Sequence, residues 1–274
     1  MNRVMRLGVR RGVAEFATLL RDRKELWGNI GATVLIFAAI VLWIGDGEIG
    51  DTGVSVGTYI TAGMIAMIVF QVGLVSLPMM IAADKEEGAL LRLRTVPGGF
   101  AAFLIGRGVS MLLLTAVQVV MVLVLGILLG GASLPSSIAG WLTLLWVLVL
   151  GLLAVVPLGA ALGALMPSQK SAGAVLALPA MGLMMVSGVF FPVRVLPEAV
   201  QWVAQVFPLY WQGHGIRAAI LPDAVLSTEI GETWRLFETA GVLGVWLVAG
   251  MVLAPRLLRR TTRGAVGTRP SFGS

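Results

Sequence analysis

The sequence predicts an all-α polytopic membrane protein with six transmembrane helices, and three observations support this fold class. First, 58% of the 274 residues are hydrophobic and only 12% are charged, whereas soluble domains contain about 25% charged residues. Second, the apolar residues form uncharged runs of about 18 residues or more, the length that a membrane-spanning helix needs. Third, these runs lack the apolar–polar alternation of barrel strands, the other backbone structure that can cross a bilayer.

The chain begins with a charged lead, 1–27, which we predict to be an amphipathic helix on the inner membrane surface. Its apolar residues recur at helical spacing on one face, and most of its charged residues fall on other faces. The residues of this face are Val9, Val13, Phe16 and Leu20. The alternative is a solvated, charged segment in which the apolar residues are incidental.

Charged residues and helix breakers mark the ends of the six predicted spans. The stretch from Gly108 to Gln169 carries no charge and is long enough for two spans, and a cluster of breakers at 130–137 marks the turn between them. The stretch 52–83 is too long for one straight span and too short for two, so we predict one long helix with a kink at Pro78. The predicted spans are 28–45, 56–82, 101–129, 138–166, 171–191 and 237–255.

A segment between the fifth and sixth spans, 192–208, is predicted to form outer re-entrant helices. Its apolar stretch from Val195 to Phe207 is too short to cross the membrane and is bracketed by prolines. A re-entrant or interfacial helix satisfies its own backbone hydrogen bonds without crossing the bilayer.

The distribution of the 20 Lys and Arg residues sets the predicted orientation. Most of them lie before the first span, in the loop after the second span, or in the tail 256–274. Because loops rich in Lys and Arg stay in the cytoplasm, we expect both ends there and the chain in the cytoplasmic (inner) cell membrane. This topological role also explains the net charge of +6, so we expect no nucleic-acid partner.

The sequence offers no constellation of catalytic or metal-binding residues. It has no cysteine and only one histidine, which excludes thiolate sites and paired-histidine metal sites. The segment 169–171 lacks the glycines of a nucleotide-binding loop, so we expect this chain not to be an enzyme and to bind no cofactor of its own. His214 lies near Tyr210 and Trp211, and we interpret it as an interfacial residue.

A few polar residues within the predicted spans are candidates for lining a transport path. The alternative is that they make hydrogen bonds between helices. The candidates are Gln71, Ser76, Thr115 and Gln118. No Asp, Glu, Lys, Arg or His falls deep within a predicted span, which disfavours proton-driven transport because such transport needs a buried ionisable group.

Two further segments carry a resemblance to a known family. The loop after the second span mixes apolar and charged residues as a short amphipathic helix does. It reads Asp84-Lys85-Glu86-Glu87-Gly88-Ala89-Leu90-Leu91-Arg92-Leu93-Arg94-Thr95-Val96-Pro97. The fifth predicted span ends in Ser187-Gly188-Val189-Phe190-Phe191-Pro192, and Leu196-Pro197 and Phe207-Pro208 follow. Together these segments resemble the type 2 ATP-binding cassette (ABC-2 type) exporter permeases, which include bacterial drug and antibiotic exporters. The sequence departs from that family at Ala89, where a threonine or serine is frequent.

This resemblance covers nearly the whole chain, 1–274, as a single transmembrane domain, and it implies a separate cytoplasmic ABC ATPase that binds ATP and Mg. The loop 84–97 would be the coupling helix that docks in the ATPase, and the outer element would gate the path. The implied coupling residues are Glu86, Glu87, Gly88, Leu91 and Arg92. The implied outer gate residues are Ser187, Gly188, Phe190, Phe191, Pro192, Pro197 and Pro208.

The resemblance also implies the assembly and the cargo. Two permease copies would pair as a homodimer with two ATPases, and a hydrophobic or amphipathic substrate (a drug, an antibiotic or a lipid-linked molecule) would move outward between them. Two alternatives stay open, namely an ion-coupled secondary transporter and a membrane scaffold or immunity protein without transport activity.

Overall fold

The structure describes residues 3–89 and 98–264, and within these ranges 84% of the residues are helical and no β-strand occurs. Within these ranges of the computed structural model, five helices are long and apolar enough to cross a membrane, which confirms the predicted all-α membrane class. These five helices are Val56–Glu86, Ala101–Gly130, Ile138–Leu165, Gln169–Val186 and Leu236–Leu257.

The helices of the described ranges are named here in chain order. They are α1 (Arg3–Arg21), α2 (Arg23–Leu26), α3 (Ala32–Ile44), α4 (Val56–Gln71), α5 (Leu77–Glu86), α6 (Gly99–Gly130), α7 (Ile138–Leu165), α8 (Gln169–Val186), α9 (Glu198–Val206), α10 (Pro208–Ile220) and α11 (Leu236–Gly264). Two π-helical turns, Trp27–Gly31 and Val72–Ser76, join α2 to α3 and α4 to α5.

The predicted first span, 28–45, is divided between a π-helical turn and α3. The helix α3 has 13 residues, which at 1.5 Å per residue gives about 20 Å. This is shorter than the hydrocarbon core of roughly 30 Å. The count of six spans therefore stays a prediction.

The helix α1 packs along α6 through small residues rather than through its large apolar ones. A Cβ atom at Gly8 or at Gly12 would lie 2.7 Å from a side chain of α6, so glycine is what permits this close approach. Of the predicted apolar face, Phe16 packs against the core, whereas Val13 and Leu20 are exposed. The glycine side of α1 therefore packs against α6, and the location of this helix on the inner membrane surface stays a prediction.

The long helix formed by α4 and α5 is interrupted by the π-helical turn Val72–Ser76. The turn directly precedes Pro78, which has no N–H to donate to the carbonyl of Leu74 and whose ring crowds that carbonyl. The extra residue of a π turn accommodates this mismatch. The irregularity predicted at Pro78 therefore takes the form of a π turn.

Glycines also let α7 cross this long helix closely. A Cβ atom at Gly159 would clash with the carbonyl oxygen of Gly73, and one at Gly163 would lie 2.7 Å from the carbonyl oxygen of Pro78. Elsewhere α7 packs against α10 and α11. The predicted turn between α6 and α7 begins at Gly131, which adopts a left-handed conformation with φ of +58°.

The outer segment continues further into the protein than the predicted range 192–208. After α9, the helix α10 is almost wholly buried and packs against α4, α7 and α11. It has 13 residues, too few to cross a membrane. Two short 3-10 helices, Asp223–Thr228 and Ile230–Glu232, then lead to α11.

Candidate functional site

Three of the four predicted path-lining residues line one cavity of about 270 Å³ in the middle of the long helix. Gln71 immediately precedes the π-helical turn, Ser76 is its last residue, and Gln118 of α6 lines the same cavity. In a regular α-helix, residues five positions apart point about 140° away from each other. The π turn adds a residue to the turn and brings Gln71 and Ser76 to the same cavity. The fourth candidate, Thr115, is buried on α6 and does not line this cavity.

The chemistry of this cavity is neutral and amphipathic. Thr33 of α3 and the two glutamines supply hydroxyl and amide groups, while Met67 and Met184 supply flexible apolar surface. None of the described residues that line it is Asp, Glu, Lys, Arg or His. The cavity can therefore hold an uncharged molecule with both polar and apolar groups.

The end of the long helix at Tyr59, which we predict to be the outer end, is hydrogen-bonded to the turn that follows α8. The carbonyl oxygen of Gly188 accepts hydrogen bonds from the Tyr59 hydroxyl at 3.2 Å and from the Arg217 guanidinium at 3.0 Å. Gly188 adopts a φ of +72°, and a Cβ atom there would clash with Val193. The position thus requires glycine for two reasons, and Ser187 beside it is fully buried.

The other predicted gate residues surround this turn. Phe190, Phe191 and Pro192 line an outer cavity of about 490 Å³ together with Arg194 and Val195. Pro197 immediately precedes α9, and Pro208 is the first residue of α10. Both prolines occupy places where the missing N–H costs no helical hydrogen bond.

A buried ion cluster, formed by Arg217, Glu229 and His214, holds the outer segment together. Arg217 donates from Nε to one carboxylate oxygen of Glu229 at 2.5 Å and from a terminal nitrogen to the other at 3.2 Å. All three side chains are at most 4% exposed. Burial raises the pKa of Glu229, but the Arg217 charge and the hydrogen bonds from His214 and Arg217 outweigh it and lower the pKa to about 2.

His214 is hydrogen-bonded at both ring nitrogens. Its Nε2 atom accepts a hydrogen bond from the backbone N–H of Arg235 at 3.1 Å, so the proton lies on Nδ1, which donates to Glu229 at 2.8 Å. The expectation of an interfacial His214 is wrong, because both of its nitrogens are satisfied inside the protein. It also caps the start of α11, whose first N–H groups lack helical partners.

The sequence reasoning missed Arg217, Glu229 and Tyr59. One signal was available, since Arg217 is the only charged residue between Glu198 and Asp223. A lone charge in an uncharged helical stretch indicates a buried, paired group. Its partner could not be identified, because Glu229 lies in an irregular segment whose path the sequence pattern does not predict.

The end of the long helix at Asp84, which we predict to be cytoplasmic, is joined by an ion pair to α6 and through α6 to α1. Asp84 accepts from Arg107 at 2.5 Å, and Arg107 also contacts Glu15 at 3.4 Å. Glu15 in turn pairs with Arg11 at 2.9 Å. The guanidinium groups of Arg11 and Arg107 both lie over the ring of Phe103.

The next two residues, Lys85 and Glu86, form hydrogen bonds with the turn between α7 and α8. Lys85 donates to the carbonyl oxygens of Ala164 and Met166 at 3.2 and 3.0 Å, near the end of α7. Glu86 accepts from the N–H of Gln169 at 3.0 Å, at the start of α8. A cation at a helix C-terminus and an anion at an N-terminus are both stabilising.

The predicted coupling residues therefore differ in their contacts and in their exposure. The carboxylate of Glu86 is engaged within the chain, whereas Glu87 is exposed. Gly88 adopts a φ of +69°, with no atom near its Cβ position. Leu91 and Arg92, like most of the predicted coupling helix 84–97, lie outside the described residues.

Comparison with protein-family models gives a match over most of the chain. A family model described as "ABC-2 family transporter protein" matches residues 51–254, which include the long helix, the loop after it and the whole outer segment. No curated protein matches the chain at a significant level.

Among the described residues, no group of three or more His, Asp or Glu side chains is arranged to hold a metal ion.

Proposed function

The chain belongs to the ABC-2 transporter family, and on that premise we propose that it is the membrane permease subunit of an ATP-driven exporter. Membership implies an ABC permease with an ABC ATPase partner. The observation that carries the proposal further is the helix Val56–Glu86. It bonds to the outer turn at one end, lines the central cavity in its middle, and carries the predicted coupling loop at the other end.

In this proposal the long helix transmits the closure of the ATPase to the outer segment. A displacement of the loop at Asp84 would pull on α6 and on the α7–α8 turn, which are bonded to residues 84–86, and on α1 through the pair of Arg107 and Glu15. At the outer end, Tyr59 and Arg217 share the carbonyl oxygen of Gly188. The π turn between the two ends is the weakest part of the helical ladder, and the helix can adjust there. ATP would act by favouring one arrangement, which requires different contacts in the two states.

The central cavity supports the proposed class of substrate. Its amide, hydroxyl and thioether groups suit an uncharged or weakly polar amphipathic molecule such as a drug, an antibiotic or a lipid-linked compound. The outer cavity beside Phe190 and Phe191 would receive that molecule on release. Export rather than import follows from the family resemblance.

Two exposed apolar faces border the central cavity and support pairing of two permease copies. On α8, Leu178 and Met181 are 78% and 65% exposed, and on α3, Leu42 and Trp43 are 67% and 86% exposed. Both helices contribute residues to the cavity. A second copy placed against them would enclose the path, giving a complex of two permeases and two ATPases.

Charge reversal at Glu87 tests the coupling site. Glu87→Lys should reduce co-purification with the partner ABC ATPase and reduce substrate-stimulated ATP hydrolysis, because Glu87 is exposed and has no role in the α7–α8 contact. Glu86→Lys is a poorer test, since it also breaks the bond to Gln169. The matched control is Glu48→Lys, an exposed glutamate of the outer loop.

Unchanged ATPase association in Glu87→Lys would contradict the proposed docking surface. Transport that stops with an uncoupler while ATP is constant would favour the ion-coupled alternative. A complete lack of ATPase association in the unaltered chain would favour the scaffold or immunity alternative.

A further inference from the structure

A third cavity, of about 470 Å³, opens between α6, α7 and α11. It lies on another face of α6 than the central cavity. Every residue that lines it is apolar, including Leu104, Gly108 and Leu112 of α6, Pro157 of α7, and Met251 of α11. We call this space the lateral groove.

The packing of the helices explains why the lateral groove exists. The helix α6 packs mainly against α1, α3 and α4, whereas α7 packs mainly against α5, α10 and α11 and less extensively against α4. The two groups therefore leave a gap between them. Pro157 and Pro255 lie inside α7 and α11, and both line the gap. At its end nearest the cytoplasmic ion pairs, a cluster that includes Phe103, Ala160 and Ala254 closes it.

Water cannot fill this groove, because a bound water needs two to four polar partners and the walls offer almost none. The three helices that form it are all long and apolar enough to span a membrane, so the groove opens into hydrocarbon. The occupant with the right chemistry is an acyl chain of the bilayer itself.

Basic side chains near the closed end of the lateral groove indicate that the bound lipid has an anionic headgroup. Arg256 is exposed and directly follows Pro255 of the groove wall. The side chain of Arg11, 40% exposed, lies over the ring of Phe103 at 5.0 Å. Basic groups at the cytoplasmic surface attract anionic lipids.

We propose that the lateral groove binds one acyl chain of an anionic phospholipid from the inner leaflet, with its headgroup near Arg256. This site is separate from the central cavity and does not depend on the ATPase. The lipid would complete the packing between the α6 group and the α7–α11 group.

Gly108 provides the test. No atom lies within 4 Å of a Cβ built at Gly108, which lines the groove, so a side chain there would start in open space at the groove wall. Gly108→Trp should fill the groove, and Gly244→Trp is the matched control, because Gly244 of α11 is equally open and does not line the groove. Gly108→Leu serves if the tryptophan variant is not recovered folded.

The probe is a phosphatidylglycerol with a photoreactive diazirine in its acyl chain, in vesicles of phosphatidylcholine. After irradiation, label should concentrate in peptides that contain 104–112, 149–160 and 251–255. Gly108→Trp should lower this labelling several-fold, and Gly244→Trp should leave it unchanged. Uniform labelling of all lipid-facing helices, or labelling that Gly108→Trp does not change, would overturn the site.

A second measurement addresses the headgroup. Arg256→Gln should reduce labelling by the phosphatidylglycerol probe relative to a phosphatidylcholine probe with the same acyl chain. An unchanged ratio would overturn the preference for an anionic headgroup, and its result is independent of the Gly108 comparison.

Discussion

The buried pair of Arg217 and Glu229 is the most consequential interaction between single residues in the described ranges. Removing two charges from water is costly, and only their mutual attraction and complete hydrogen bonding offset that cost. Here the carboxylate accepts from Arg217 and His214, and Arg217 also donates to Gly188. The pair therefore fixes the position of the outer turn relative to α10.

We predict that Arg217→Met destabilises the protein more than the double replacement Arg217→Met/Glu229→Gln. The single variant leaves a buried carboxylate without its cation, which costs about 3–5 kcal/mol. The double variant removes the charge and keeps an acceptor for His214. Thermal unfolding of the purified protein measures both.

An exposed pair offers the control for this comparison. Arg194 and Glu232 form an ion pair at 2.8 Å with both side chains at least 50% exposed, and such pairs contribute about 1 kcal/mol or less. Arg194→Met should therefore change stability little. If the single and double variants at 217 and 229 unfold at the same temperature, the buried charges are not coupled as described.

At the scale of elements, close helix crossings in this protein depend on glycines. The crossing of α7 over the π turn places Gly159 against the backbone of Gly73, and the contact of α1 with α6 uses Gly8 and Gly12. Small residues let helix backbones approach within a membrane, where no hydrophobic force drives helices together. Among the described glycines, others face open space, so residue type alone does not mark the crossings.

We predict that Gly159→Val separates α7 from the long helix and destabilises the protein by about 1–3 kcal/mol, the usual range for overpacking, or more. Gly182→Val on α8 is the matched control, because no atom lies within 4 Å of a Cβ at Gly182. Equal thermal stability of the two variants would show that the crossing tolerates a side chain.

At the scale of the whole molecule, the helix Val56–Glu86 spans from the outer segment to the predicted cytoplasmic loop. Both ends bond to other elements, and the central cavity lies at its only π turn within the described residues. This continuity is what a permease driven from one side of a membrane requires.

The predicted orientation can be tested by labelling, since the chain has no cysteine. Glu48→Cys should react with a membrane-impermeant maleimide on intact cells, and Glu87→Cys should react only in inside-out vesicles. Both residues are exposed, so access alone decides the outcome. Labelling of Glu87→Cys on intact cells would reverse the orientation and place the coupling loop away from any cytosolic ATPase.

The sequence by itself determined the helical membrane class, the approximate place of the long helices and the turn at 130–137. These features depend on local composition, because a run of apolar residues must form a helix in hydrocarbon whatever surrounds it. The resemblance to the ABC-2 transporters was likewise carried by short, continuous segments, and the family match to residues 51–254 confirms it.

Only the tertiary structure decided which distant residues meet. Arg217 and Glu229 pair across an irregular segment, Glu86 bonds to Gln169 at the start of another helix, and the π turn brings Gln71 to the same cavity as Ser76. Hydropathy is a property of each stretch of chain and carries no information on these pairings. They follow from how closely the helices pack and from the cost of leaving a buried charge or polar group without a partner.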